Sequence, residues 1–250
     1  MKRFVFSLAL GMCTTVHCQA ATDAGLIRLA TLEWPPYNGQ LLPHGGLSGY
    51  ITSVVAKAAG YRLLTTSFEW GTTVRKGKQD PFFDGYFPEY YSKERALACY
   101  LSQSIGNSVL GLATLRTAPI YWTAITDLAP YRLGVVDGYL NGEVLDQAIQ
   151  DRRQAVETGA SDAVNIQKLR TGKLRGIVVD KNVFRYTLQH AGGSGTMVLN
   201  TRPIAQLSLH VCFRRTATGL LMRNTFDTAL QQQNLVQLEN TYFKMFPALR

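Results

Sequence analysis

Histidine and cysteine are scarce in this chain of 250 residues, which contains four of each. The histidines do not occur at a spacing such as His-Glu-x-x-His, so the sequence indicates no metal site. It also lacks a Gly-x-Ser-x-Gly turn and any cysteine–histidine pattern typical of a thiol nucleophile. We therefore expect no catalytic constellation, no metal and no cofactor.

Long apolar runs are also missing, because no stretch reaches the ~20 residues that a membrane-spanning helix requires. The N-terminus instead has two basic residues, Lys2 and Arg3, followed by a short apolar stretch from Phe4 to Met12 and small residues before Ala21. This order is typical of a secretory signal peptide, which we predict for residues 1–20. The mature protein is expected to be soluble and periplasmic.

Acidic residues are fewer than basic ones, 17 against 26, which gives a net charge of +9. The predicted signal peptide contains two basic residues and no acidic ones, so the mature charge is 24 minus 17, or +7. The basic residues are scattered, and no run is longer than two arginines. Such scattering indicates a solvated surface. For an exported protein we expect no nucleic-acid partner.

Only two cysteines, Cys99 and Cys212, follow the predicted signal peptide. An oxidising compartment would permit a disulfide between them. Two buried free thiols agree equally well with the sequence.

Strand-like and helix-like segments alternate along the chain, first over its N-terminal half and then again from about residue 117. This alternation predicts an α/β fold with mostly parallel sheets flanked by helices. The last strand and two helices have no sheet of their own, so we assign them to the first unit. The prediction is lobe 1 at 21–116 and 199–250, lobe 2 at 117–198, and hinge crossings near 112–118 and 199–206.

A short apolar run from Phe82 to Tyr86 predicts a buried strand that ends before Pro88. Ser92 is a suitable N-cap for a following helix. A capping box would place an acidic residue three positions later, but the chain has Arg95 there. A guanidinium at that point indicates a carboxylate or phosphate site.

A simpler interpretation is that Arg95 is a surface residue paired with Glu89 or Glu94.

A second candidate segment, Trp34-Pro35-Pro36-Tyr37, follows the first predicted strand, where open α/β sheets bind ligands. Trp34 and Tyr37 could instead cap the core.

Five motifs in this order resemble the family 3 solute-binding proteins, the periplasmic clamshell receptors of polar amino-acid ABC transporters. The resemblance covers the mature chain, and its motifs are Trp34–Tyr37, Gly46–Tyr50, Tyr91–Arg95, Asp127–Gly138 and Leu169–Asp180. It implies a two-lobe clamshell that is monomeric and that delivers a small-molecule ligand to a membrane permease.

The resemblance also implies roles for individual residues. Arg95 would clamp the α-carboxylate of an amino acid, Asp180 would hold its ammonium group, and Trp34 would pack on it. Tyr139 occupies the position that supplies backbone and hydroxyl donors to the carboxylate. The alternative for Asp180 is to cap the helix that begins near Asn182.

The chain departs from the family pattern in its tyrosines, since Tyr86 and Tyr91 stand where small polar residues are usual. With Tyr139, which stands where a threonine is usual, they predict a bulkier, more aromatic ligand site, suited to a smaller, aromatic or cationic ligand. A second hypothesis is an enzyme resembling the cyclohexadienyl dehydratases, with Glu33 or Glu89 as acid. A third is a receptor that senses its ligand without transporting it.

Overall fold

The computed structural model describes residues 25–191 and 195–249. The predicted signal peptide lies outside the described residues, as do residues 192–194. Within the described part of the chain, none of the helices combines the length and the apolar character needed to cross a membrane.

Nine strands of the described chain form one sheet. The strands are β1 (Gly25–Thr31), β2 (Tyr61–Ser67), β3 (Gly85–Tyr90), β4 (Tyr100–Leu101), β5 (Gly106–Leu115), β6 (Leu133–Val136), β7 (Val156–Gly159), β8 (Gly176–Asp180) and β9 (Met197–Phe213). Their order in the sheet is β2-β1-β3-β9-β5-β8-β6-β7, and the short β4 pairs with β9. Strand β1 is parallel to β2 and β3, and β6 is parallel to β7 and β8. Strands β5 and β9 are antiparallel to their neighbours.

Eight α-helices flank this sheet in the described chain. On α1, Leu47, Ile51 and Val55 recur at helical spacing and are buried. Burial of such a side chain contributes ~1.5–3 kcal/mol. The helices are α1 (Leu47–Ala58), α2 (Trp70–Gln79), α3 (Lys93–Ala98), α4 (Glu143–Gln150), α5 (Asp162–Arg170), α6 (Lys181–Ala191), α7 (Ala217–Leu230) and α8 (Leu235–Met245).

The two groups of parallel strands define two lobes. Lobe 1 contains β1–β3 with α1, and α7 and α8 pack on α1. Lobe 2 contains β6–β8, and α5 and α6 pack on it. This arrangement confirms the predicted α/β fold of two mostly parallel groups flanked by helices.

The segments predicted as hinge crossings, near 112–118 and 199–206, lie mostly on the strands β5 and β9. Residues 199–206, expected as a hinge crossing, belong to the 17-residue strand β9 and pair with β5. The register shifts on either side of Gly111, opposite Pro203, which cannot donate to a ladder. The sequence of this stretch does not indicate a strand, because it is partly polar. Polar residues are tolerated there because much of the stretch is exposed. The two lobes therefore share one continuous sheet.

The strand predicted to end before Pro88 continues through it. In the structure β3 begins at Gly85 and extends to Tyr90. Its register against β9 shifts between Tyr86 and Glu89, so Pro88 occupies an irregularity where no ladder donor is needed. The extension is important because it places Glu89 and Tyr90 on a buried strand.

The cysteines form a disulfide between Cys99 and Cys212, with the two Cα atoms 5.6 Å apart. Cys99 ends α3 and Cys212 lies on β9, so the bond fastens the helix that carries Arg95 to the sheet. Both cysteines are buried in one cluster with Ala30, Phe83 and Tyr86. Of the two alternatives that the sequence left open, the structure shows the disulfide.

Candidate functional site

The topology brings several of the predicted site residues together with Tyr90 where the lobes meet. Trp34 and Tyr37 follow β1, Tyr90 ends β3, Tyr139 follows β6, and Asp180 ends β8. All of them lie at the carboxyl ends of parallel strands, which is where ligands bind in open α/β sheets. The cleft between the lobes is therefore the candidate functional site.

Arg95 reaches across this cleft. The hydroxyl of Ser92 accepts from the Arg95 backbone N–H over 3.1 Å, which confirms the predicted N-cap of α3. The guanidinium donates through Nη1 to Glu89 Oε2 over 2.6 Å and through Nη2 to the Gly138 carbonyl of lobe 2 over 2.8 Å. The structure thus shows the pairing with Glu89 and adds a contact between lobes.

Glu89 is almost completely buried, with 1% of its side chain exposed, against 16% for Arg95. Its Oε2 also accepts from the Tyr86 hydroxyl over 2.7 Å, and its Oε1 accepts from the Tyr90 backbone N–H over 2.9 Å. Burial raises the pKa of Glu89, although Arg95 and these donors oppose the shift. Tyr86 therefore lies behind the cleft and positions the carboxylate that holds Arg95.

An aromatic box, formed by Trp34, Trp70 and Tyr90 of lobe 1, surrounds the ring of Tyr139 from lobe 2. Tyr139 meets the three rings edge to face, with centroid distances of 6.4, 5.5 and 6.5 Å respectively. Tyr37 stacks on the outer side of the box, 4.5 Å from Trp34. The cavity left beside these rings measures about 20 Å³, enough for about one water molecule.

Asp162 also contacts the box, and sequence reasoning did not identify it as a site residue. The indole N–H of Trp34 donates to Asp162 Oδ2 over 3.0 Å. Burial raises the pKa of Asp162 to about 7, and no basic side chain of the described chain offsets this shift. The available signal was ambiguous, because either Ser161 or Asp162 could cap α5. Ser161 is the cap, which leaves the Asp162 side chain facing lobe 1.

Asp180 takes its alternative role as a helix cap. Its Oδ1 accepts from the backbone N–H groups of Asn182 and Val183 over 2.7 and 3.0 Å. Burial raises its pKa, while these donors oppose the shift. Its Oδ2 accepts from three further donors, Tyr37 Oη at 3.1 Å, Ser108 Oγ at 2.7 Å and Val109 N at 3.1 Å. The carboxylate is thus saturated from within the protein.

Two other candidates lie away from the cleft. Tyr91 is 52% exposed, and its ring lies near His210, at a centroid distance of 6.0 Å. Glu33 is exposed and accepts from the Gln40 backbone N–H over 3.0 Å. Of the sequence candidates, the structure brings together Trp34, Tyr37, Arg95, Tyr139 and Asp180, with Tyr86 behind them. Among the residues described, no group of three or more acidic, histidine or cysteine side chains could hold a metal ion.

Solved structures share the fold of this chain over most of their length. A histidine kinase sensor domain with similarity to periplasmic binding proteins superposes with a TM-score of 0.74 at 16% identity, covering 89% of this chain and 96% of the other. This chain has the periplasmic-binding-protein fold. The substrate-binding protein of an amino acid ABC transporter gives a TM-score of 0.70 at 14% identity, with 88% and 98% covered.

A third structure of this fold is the ancestral amino acid-binding protein AncCDT-1, described as a precursor of cyclohexadienyl dehydratase. It gives a TM-score of 0.68 at 16% identity, with 88% and 95% covered. These identities establish the fold of this chain. No protein-family model matches the sequence, and no curated protein is significantly similar to it.

Proposed function

We propose that this protein is a periplasmic solute-binding protein that captures an amino acid or related carboxylate between its lobes, for an ABC-type importer. The observation that carries the proposal is the position of Arg95. Its guanidinium is anchored in lobe 1 by Glu89, and its second nitrogen points across the cleft to a carbonyl of lobe 2.

Opening of the lobes would release that second nitrogen. Arg95 Nη1 would stay on Glu89, while Nη2 would lose the Gly138 carbonyl and become available to a carboxylate. A guanidinium suits this task because it keeps its charge at every physiological pH. The aromatic box would then cover the rest of the ligand.

The ammonium group of an amino acid is better assigned to Asp162 than to Asp180. Asp180 already accepts five hydrogen bonds within the protein. Asp162 accepts a hydrogen bond from Trp34 across the cleft, and that bond would break when the lobes open. A buried carboxylate that loses its donor is stabilised by a cation.

A thermal-shift screen tests the proposal directly. The mature protein, unfolded and refolded to strip bound solutes, is screened against the twenty amino acids and small carboxylates. Ligand-induced stabilisation is expected in wild type and is expected to be absent in Arg95→Ala, because an unpaired ligand carboxylate costs ~2–5 kcal/mol of binding. Arg62→Ala, at an exposed position of β2, is the matched control. Equal stabilisation of Arg95→Ala and wild type would refute the assignment.

An enzymatic role is the second candidate, and one observation favours it. Glu89 lines the cavity in the cleft, and its raised pKa suits a general acid. Turnover of prephenate or arogenate, followed by absorbance and lost in Glu89→Gln, would support this role over simple capture. Uptake of a labelled ligand by cells with and without the gene would separate transport from sensing.

A further inference from the structure

The segment Gly138–Tyr139 occupies the site that was assigned above to the ligand. The Gly138 carbonyl accepts from Arg95 Nη2 over 2.8 Å and from Trp70 Nε1 over 3.2 Å. The Tyr139 ring lies among Trp34, Trp70 and Tyr90. The Gly138 carbonyl of lobe 2 therefore accepts from the guanidinium of lobe 1, and the Tyr139 ring of lobe 2 fills the aromatic box of lobe 1.

The backbone at this point is adapted to a close approach. Gly138 has a φ of +72°, in the left-handed region that favours glycine. A Cβ atom there would lie 3.3 Å from Trp70 Nε1 and 3.4 Å from its Cδ1. A larger residue would crowd the Trp70 indole, one of the two donors to the Gly138 carbonyl.

We propose that Gly138–Tyr139 is an internal substitute for the ligand, and that the ligand is an aromatic carboxylate. This inference rests on the proposed function and names its ligand class. A carboxylate oxygen would replace the Gly138 carbonyl on Arg95, and a ring of phenol size would replace Tyr139 in the aromatic box. Edge-to-face contacts favour a ring over an aliphatic chain.

The covalent structure of the segment suggests the shape of the ligand. Three atoms, the N, Cα and Cβ of Tyr139, join the Gly138 carbonyl carbon to the phenol ring. The acid 4-(4-hydroxyphenyl)butanoate has the same spacing between its carboxylate and its ring. L-Tyrosine has one linking atom fewer and carries the ammonium group that Asp162 would accept.

Calorimetric titration of refolded mature protein tests this inference with five probes. Two contain both a ring and a carboxylate, 4-(4-hydroxyphenyl)butanoate and L-tyrosine. The others are butanoate, which lacks the ring, p-cresol, which lacks the carboxylate, and L-arginine, whose side chain is cationic. We expect wild type to bind a ring-bearing acid at least tenfold more tightly than any of the other three.

Removal of the internal ring gives a second readout. Tyr139→Ala is expected to bind the ring-bearing acids at least tenfold more tightly than wild type, because they no longer compete with Tyr139 for the box. Tyr139→Phe keeps the ring and should bind like wild type. If Tyr139→Ala does not fold, Tyr139→Leu replaces it, with the same direction of change expected.

The outcomes separate this inference from the proposed function. If wild type binds amino acids through Arg95 but prefers L-arginine or butanoate to the ring-bearing acids, the ligand class is wrong and the proposed function stands. Unchanged affinity in both Tyr139→Ala and Tyr139→Leu would show that Tyr139 only packs the interface. If no probe and no amino acid binds to wild type, both proposals fall.

Discussion

The indole N–H of Trp34 in lobe 1 donates to the carboxylate of Asp162 in lobe 2, with 3.0 Å between the nitrogen and Oδ2. The two residues are 128 positions apart in the sequence, and Asp162 is only 7% exposed. A single neutral donor compensates poorly for the burial of a carboxylate. The raised pKa of Asp162, about 7, follows from this burial.

The first prediction concerns the pH dependence of stability. The folded-state pKa of Asp162 is above its unfolded value of 3.8, so its contribution is fully present below pH ~4 and is lost as the pH rises to about 7. Asp162→Asn cannot ionise. Above pH 7, the free energy of unfolding of Asp162→Asn should exceed that of wild type by an amount on the order of 4 kcal/mol. Near pH 4, the two free energies of unfolding should become similar.

Urea denaturation of both proteins between pH 4 and pH 8 measures this difference. The pKa values of Glu89 and Asp180 are raised as well, but both groups are present in each protein. The difference therefore reports on Asp162 together with its repulsion of the nearby Asp180. A constant difference across that range would contradict the burial of an ionisable Asp162.

The second prediction concerns the pair of Glu89 and Arg95. Glu89→Leu leaves a partly buried guanidinium without its carboxylate, and we expect a loss of ~3–5 kcal/mol in the free energy of unfolding. Arg95→Met should cost less at low pH, because the buried Glu89, whose pKa is raised, can take up a proton and become neutral.

Without Arg95 the pKa of Glu89 rises further, so the stability of Arg95→Met should fall as the pH increases from about 4. Denaturation by guanidinium chloride at pH 4.5 and pH 7.5, without ligand, measures the free energy of unfolding of both variants. Losses that are equal at the two pH values would argue against a buried, titratable Glu89.

The third prediction tests the capping role of Asp180. Asp180→Ala removes the acceptor of the first amides of α6 and of the Ser108 hydroxyl, which keeps only its hydrogen bond with the Tyr90 hydroxyl. A loss of about 3 kcal/mol is expected without any ligand. Asp180→Asn keeps an acceptor oxygen and should lose less. If Asp180→Ala were as stable as wild type, the cap would have no structural importance.

The fourth prediction concerns the disulfide between Cys99 and Cys212, which are 113 residues apart. Closing so long a loop in the unfolded chain stabilises a protein by ~2–5 kcal/mol. Replacement of both cysteines by alanine should lower the melting temperature of the mature protein, and reduction should lower that of wild type. The reductant should leave the double variant unchanged, and a shift there would indicate another cause.

The sequence determined the features that depend on one segment at a time. Alternating apolar residues and helical spacing indicated the α/β order, and Ser92 indicated the start of α3, because backbone hydrogen bonds and caps involve near neighbours. The loop from Trp34 to Tyr37 was recognised in the same way. The resemblance to clamshell receptors used the order of such segments, and the fold confirms it.

Only the tertiary structure decided how the side chains are paired. Arg95 meets the Gly138 carbonyl 43 positions away, and Trp34 meets Asp162 across the lobes. The sequence left two roles open for Asp180, a ligand contact and a helix cap, and the structure adds donors from three separate segments. Local patterns show which groups need a partner, but the partner is set by the packing of distant segments, where burial and hydrogen-bond geometry decide.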